Sequence, residues 1–237
     1  MDTSLWKNLN PTVNFKLTKK LFFNKFLFKV TLFCPGSRAV VSVGPDVESV
    51  KNYILHRTYI YNNYTYRPIT EDRLKLADTN QLDYLLQVKR QKGDKVKIRC
   101  EEPYIDLYCL HEQDLYDILK DCPGINERLL HVWTPKNDKF QNVLLGGNII
   151  MAKDFEFKYK IILKNKCDFS TRQALYKYLL NWGDQVKIPP GVVRNLTSSY
   201  SYGEKYFYAM DKDVVLAIGL IDPNLITQIF PIHAADQ

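Results

Sequence analysis

The chain has 237 residues, of which 46% are hydrophobic and 13% aromatic, with only 10 Gly and 11 Pro. That composition can build a core, and it excludes a disordered or collagen-like chain. The formal charge of +7 favours a polyanionic partner, because lysines and arginines held near phosphates release counterions.

Three further bulk features narrow the setting. Cys34, Cys100, Cys109, Cys122 and Cys167 are an odd set with no C-x-x-C pair, which argues against a disulfide framework and for a reducing compartment. Residues 1–10 lack the basic-then-apolar layout of a signal peptide, and no run approaches the ~18 apolar residues of a membrane span. The expected location is therefore a cytoplasm, cellular or viral, with no transmembrane segment. Abundant Tyr, Phe, Lys and Asn with little Ala would suit an AT-rich genome such as that of a virus or phage.

Residues 1–20 read as a polar arm in which Pro11 stops any early helix. In residues 21–36, Phe26, Phe28, Val30 and Leu32 alternate with Leu27, Lys29, Thr31 and Phe33, which predicts a strand closed by the turn Cys34-Pro35-Gly36. An interfacial membrane helix is the competing reading, and the preference of Phe, Val and Thr for pleated backbone speaks against it. A second strand at 39–43 and a helix at 46–56 follow. Residues 58–68 carry Tyr59, Tyr61, Tyr64 and Tyr66 near Arg57 and Arg67. They form either a loop or edge strand with inward-packed rings or a stacking platform for bases.

Short helices at 71–77 and 81–88 lead into the densest basic run, where Lys89, Arg90, Lys92, Lys95, Lys97 and Arg99 face one acid, Asp94. Gly93-Asp94 predicts a turn, after which Lys95, Lys97 and Arg99 share one face of a strand and Val96, Ile98 and Cys100 take the other. Such a strand can lie along a phosphate backbone, or it is an edge strand whose lysines prevent aggregation. Residues 101–111 continue as a strand, 112–121 as an acidic helix, and 129–133 as another strand. In residues 143–151, Gly146-Gly147 predicts a hairpin turn; the surroundings match no phosphate-binding glycine pattern. The last third is expected to run as a strand at 155–163, a helix at 171–182, a strand at 185–193, a hairpin at 206–220 around Asp211-Lys212-Asp213, and a helix at 223–230.

This order predicts an α+β protein: a polar arm at 1–20, a first unit at 21–152 and a second at 153–237. Each unit is expected to be a split β-α-β arrangement of ferredoxin-like type, in tandem or fused into one mixed sheet with helices packed on one side.

Four constellations bear on chemistry. Asp211 and Asp213 at the expected hairpin tip, with Asp106 on another strand, would suit two divalent ions for phosphoryl transfer, although Asp-Lys-Asp is also ordinary turn chemistry. Glu156-Phe157-Lys158 gives an E-x-K triplet of the kind nucleases use. Cys100, Cys109, His111 and Cys122 could ligate zinc, but their spacing lacks the close C-x2-4-C pairs of a finger. The four histidines are scattered and no G-x-S-x-G elbow occurs, so no catalytic residue, metal or cofactor is expected. The fourth constellation is aromatic: Gly203, Lys205, Tyr206 and Tyr208 distantly resemble the aromatic strand motif of the RRM family, departing from it in the missing second glycine and terminal valine-aromatic pair. The resemblance implies base stacking on exposed rings.

The sequence thus leads to a non-catalytic protein that binds single-stranded RNA or DNA, or another anionic partner, through Lys89, Arg90, Lys92, Lys95, Lys97, Arg99, Tyr206 and Tyr208. A self-associating structural protein of a virion or complex and a divalent-metal phosphoryl-transfer enzyme are the alternatives.

Overall fold

The structure is a computed structural model that describes residues 3–34, 37, 59–61, 64–66, 79–101, 103–164, 167–199, 203 and 205–235. The strand expected at 39–43 and the helices expected at 46–56 and 71–77 lie outside the described residues. The fold is mixed α+β, with two five-stranded sheets rather than one. The chain divides into two compact units, residues 1–141 and 142–237.

In the first unit, α1 (Ser4–Leu9) and β1 (Asn14–Leu17) precede β2 (Phe28–Phe33) and a small hairpin of β3 (Tyr59–Tyr61) and β4 (Tyr64–Tyr66). Then come α2 (Thr79–Lys92), β5 (Val96–Glu101), β6 (Tyr104–Cys109), α3 (Glu112–Leu119), α4 (Ile125–Arg128) and β7 (Leu129–Thr134). The sheet order is β1-β7-β2-β6-β5; β1 runs parallel to β7 and all other neighbours are antiparallel. Strand alternation sends Val30, Leu32, Ile105, Leu107 and Val132 to one face, where all are fully buried. Leu82, Leu85 and Leu86 of α2 and Leu115, Ile118 and Leu119 of α3 are buried with them. These helix positions recur at three and four residues, so each helix presents one apolar stripe.

Residues 1–20 do not behave as a polar arm. Trp6 is fully buried, its indole N–H donates to Glu112 Oε1 at 2.7 Å, and its ring meets Tyr116 edge-on. The Asn10 amide donates to the Leu129 carbonyl at 2.8 Å, and β1 adds the sheet's outermost strand. One large ring among polar neighbours is enough to dock a segment, which a reading of average polarity overlooks.

The boundary between the units falls within α5 (Asp138–Leu145). Gly146-Gly147 ends this helix and does not turn a hairpin. Gly147 is left-handed at φ 79°, its N–H reaches the Leu144 carbonyl, and the Asn148 N–H reaches that of Val143, which is the bonding of a Schellman cap.

The second unit continues with β8 (Ile149–Met151), β9 (Tyr159–Leu163), α6 (Phe169–Leu180), β10 (Val186–Lys187), α7 (Pro190–Thr197), β11 (Lys205–Ala209), α8 (Asp213–Gly219) and β12 (Ile226–Ala234). Its sheet order is β10-β11-β9-β12-β8, with β8 parallel to β12 and the rest antiparallel. Ile161, Leu163, Phe207 and Ala209 form a core with Leu175 and Leu179 of α6, Val192 and Leu196 of α7, and Val214 and Ile218 of α8. All three helices therefore cover the same face of the sheet.

Three expectations fail here for local reasons. The strand predicted at 185–193 is only two residues long, because Pro189-Pro190 breaks it and Pro190 instead occupies the first turn of α7. The second arm of the predicted hairpin is α8: Val214 and Ile218, four apart, are buried while Leu216 is exposed, a helical pattern inside a β-branched run too short for periodicity to decide. The helix predicted at 223–230 is β12 from Ile226 onward, which pairs antiparallel with β9 across an irregularity between Ile226 and Gln228.

At the start of α6 the Asp168 carboxylate accepts hydrogen bonds from the Ser170 hydroxyl at 2.5 Å and from the Thr171 N–H and hydroxyl, both at 2.7 Å. The Ser170 hydroxyl, followed by the Thr171 N–H, holds the Asp168 pKa well below the usual carboxylate range. A folded pKa that is depressed adds stability above the unfolded value and loses it as pH falls toward the folded one. In thermal melts, the gap between the native chain and Asp168→Ala should be widest near neutral pH and narrow below about pH 4. A gap independent of pH would show that the charge contributes nothing to the cap.

Candidate nucleic-acid interface

The register of the second sheet fixes what lies on the face opposite α6, α7 and α8. Tyr206 pairs with Ile162 and Tyr208 with Lys160, while Phe207 pairs with Ile161 in the core. Across the outer strands Lys187 pairs with Tyr208 and Phe230 with Lys160. Because directly paired residues share a face, one row crosses the sheet as Lys187, Tyr208, Lys160, Phe230. A second row holds Tyr206, Ile162 and Gln228.

The rings on this face form a cluster. Tyr206 and Tyr208 lie 5.6 Å apart edge-on, and Phe155, from the segment leading into β9, meets Tyr208 at 4.8 Å. Phe157 lies 6.4 Å from Tyr208. Ammonium groups sit among them: Lys160 Nζ lies 4.0 Å from the centre of the Tyr206 ring and Lys187 Nζ 5.6 Å from that of Phe155. Tyr206 and Tyr208 are half-buried, and Lys187 is exposed. Tyr206 also packs against the edge of the core. Rings held at one edge with lysines between them can stack bases while the cations meet phosphates. Lys205, one of the residues carrying the RRM resemblance, is 1% exposed on the helix side, so it does not belong to this face; Tyr200 and Tyr202 lie outside the described residues.

The basic run belongs to the first unit, and its six members occupy three elements. Lys89, Arg90 and Lys92 close α2, Lys95 ends a 3-10 turn, and Lys97 and Arg99 alternate with Val96, Ile98 and Cys100 on β5. All six are exposed. Lysines and arginines in a last helical turn also complement the negative end of the helix. Lys95 was expected to share the strand face with Lys97 and Arg99; Gly93, at φ 49°, tightens the chain into the 3-10 turn that removes it. Arg99 is ion-paired with Glu101. The tyrosines of 58–68 fall on the β3–β4 hairpin, with Arg57 and Arg67 outside the described residues.

No family model, curated protein or solved structure matches the chain. Geometry alone therefore ranks the remaining constellations. Among the described residues, no three or more His, Cys, Asp or Glu side chains come together to hold a metal ion. Asp106 is enclosed by Lys29 at 2.8 Å, the Thr31 hydroxyl at 2.5 Å and the Tyr108 hydroxyl at 3.1 Å. Asp211, by contrast, accepts from the Asp213 N–H at the entry to α8, as turn chemistry predicts. Cys109 is buried in the first unit's core, which pushes its thiol up to about 12 and makes it a poor ligand at neutral pH.

The sequence pointed to Tyr206 and Tyr208 and missed Lys160, Lys187, Phe155 and Phe230. A signal existed for two of them: Lys160 alternates with Tyr159 and Ile161, and Lys187 with Val186 and Ile188, so each is the polar partner in a period-2 pattern. Their convergence on Tyr208 depends on strand order, which no local pattern carries.

Proposed function

We propose that the protein binds single-stranded nucleic acid, stacking bases on the face of the second unit's sheet opposite α6, α7 and α8. The single observation that carries this reading is the row of Lys187, Tyr208, Lys160 and Phe230 with Phe155 and Phe157 against it. It combines the two requirements of such binding, rings for the bases and cations for the phosphates. The exposed cations Lys89, Arg90, Lys92, Lys95, Lys97 and Arg99 of the first unit add phosphate contacts, in keeping with the net charge of +7.

The finer architectural reading, a split β-α-β arrangement of ferredoxin-like type in each unit, is part of the same proposal. It is supported by the orders β7-β2-β6-β5 and β12-β9-β11-β10, antiparallel throughout, with one further edge strand, β1 or β8, added to each sheet. In the second unit that arrangement puts α6, α7 and α8 on one sheet face, and a binding platform would use the other.

The test is fluorescence anisotropy of a labelled single-stranded oligoribonucleotide, with the matching deoxyribonucleotide as a parallel arm. Affinity should fall linearly on a log scale with salt, and Lys187→Ala should reduce that slope by about one unit. An absence of binding at low salt in both arms would remove the proposal. Self-association through α8, where Leu216 is 71% and Leu220 90% exposed, is the competing reading; absent binding together with concentration-dependent sedimentation would favour it.

A further inference from the structure

We propose that the two units are copies of one module whose stacking face has been closed in the first copy and kept open in the second. This rests on the nucleic-acid reading above and adds to it which of two equivalent faces takes the bases.

The equivalence starts from the sheets. Reading the second sheet from its other edge gives β8-β12-β9-β11-β10, which matches β1-β7-β2-β6-β5 strand for strand, including the single parallel pair at one edge. The connection into the outermost strand agrees as well, with α2 and α6 each leading through a 3-10 turn into β5 or β10, although the second unit then inserts α7 before β11 where β5 passes directly to β6. At that junction the sequence itself repeats. Gly93-Asp94-Lys95-Val96-Lys97-Ile98 and Gly183-Asp184-Gln185-Val186-Lys187-Ile188 are identical at five of six positions. Gly93 and Gly183 both take positive φ, 49° and 51°, a conformation that favours glycine.

The residue rows across the two sheets repeat too. In the first unit Lys97 pairs with Tyr108, Tyr108 with Lys29, and Lys29 with Trp133, the counterpart of Lys187, Tyr208, Lys160 and Phe230. The covering phenylalanines also correspond: Phe23 meets Tyr108 at 5.0 Å as Phe155 meets Tyr208 at 4.8 Å. Lys97 Nζ lies over Phe23 at 3.8 Å, as Lys187 Nζ lies over Phe155.

The cross-strand pair beside this row sets the copies apart. Where the second unit has Tyr206, opposite Ile162, the first has Asp106, opposite Thr31. Asp106 takes the Lys29 ammonium and the hydroxyls of Thr31 and Tyr108, and Tyr108 is 3% exposed beneath Phe22, Phe23 and Phe26. Lys29 and Lys16 lie over the Trp133 ring at 4.3 and 4.7 Å. The first row is thus closed at its centre by its own side chains: its central ring is sealed and its central cation is matched by a buried carboxylate, which also repels phosphate there. Stacking needs a reachable ring, and Tyr208 is half-buried where Tyr108 is sealed.

The experiment compares matched positions in the full chain, with the labelled single-stranded oligoribonucleotide at low salt. Phe230→Leu is expected to weaken binding by about tenfold and Trp133→Leu to leave it unchanged. Tyr206→Asp, which writes the first unit's carboxylate into the second, should weaken binding by about tenfold or more. Thermal melts check that each variant is folded, and ultraviolet crosslinking of the unaltered protein gives a readout free of that concern, with adducts expected on peptides spanning 155–160 and 205–209. If the native chain binds but Trp133→Leu weakens binding as much as Phe230→Leu, or neither does, or the adducts map to 22–33 and 104–109, the asymmetry is wrong while the nucleic-acid reading stands. If the native chain does not bind, the reading itself fails.

Discussion

Trp6→Ala is expected to destabilise the first unit by about 3–5 kcal/mol, the loss typical of truncating a fully buried large ring. Trp6 has no exposed surface, packs edge-on against Tyr116 and donates to Glu112 Oε1. Removing it opens a cavity beside α3 and deprives a partly buried carboxylate of its donor, and both costs act in the same direction. Phe at this position keeps most of the volume and loses only the hydrogen bond, so Trp6→Phe should cost clearly less than Trp6→Ala. Urea unfolding followed by circular dichroism measures both, with separate transitions fitted if the two units do not unfold together. A loss below about 1 kcal/mol for Trp6→Ala, within the range of surface substitutions, would mean that residues 4–17 are dispensable to the fold after all.

Neighbours on one strand should separate stability from binding in the second unit. Phe207 is fully buried among Leu175, Leu179 and Ile161, and Phe207→Ala should cost about 3–5 kcal/mol by the same cavity argument. Tyr208, one residue on, faces the other way, and its ring touches Tyr206, Phe155 and Phe157. Tyr208→Ala should leave the helices in place and weaken oligoribonucleotide binding by about tenfold, the equivalent of one lost stacked base. The pair is informative because β alternation predicts opposite outcomes for adjacent residues. A Tyr208→Ala protein that binds like the native chain would end the stacking proposal, whatever Phe207→Ala does to the fold.

Several elements were legible from local pattern. The alternation from Phe28 to Phe33 became β2, the Tyr104–Cys109 pattern became β6, and the apolar spacing after Thr171 became most of α6. Each has one face fully buried, so hydrophobic period and structure had to agree. Misreadings cluster where the run was short or a cap decided. Residues 214–220 contain β-branched residues that suit either state, and their burial against β9 and β11 chose helix. Gly146-Gly147 looked like a turn in isolation and became a helix cap once α5 had formed before it.

What the sequence determined by itself was a basic α+β chain with alternating strands, because side-chain period and net charge are properties of neighbours along the backbone. It also placed Tyr206 and Tyr208 on one strand face. Only the tertiary structure decided that this face lies opposite α6, α7 and α8, that Lys160 and Lys187 flank Tyr208, and that Asp106 occupies the matching position in the first unit. Strand order sets these relations by joining segments far apart in the chain, as when Lys29 meets Tyr108 and Trp133. Pairing at such separations follows from how the whole core closes, and no local window of residues contains that information.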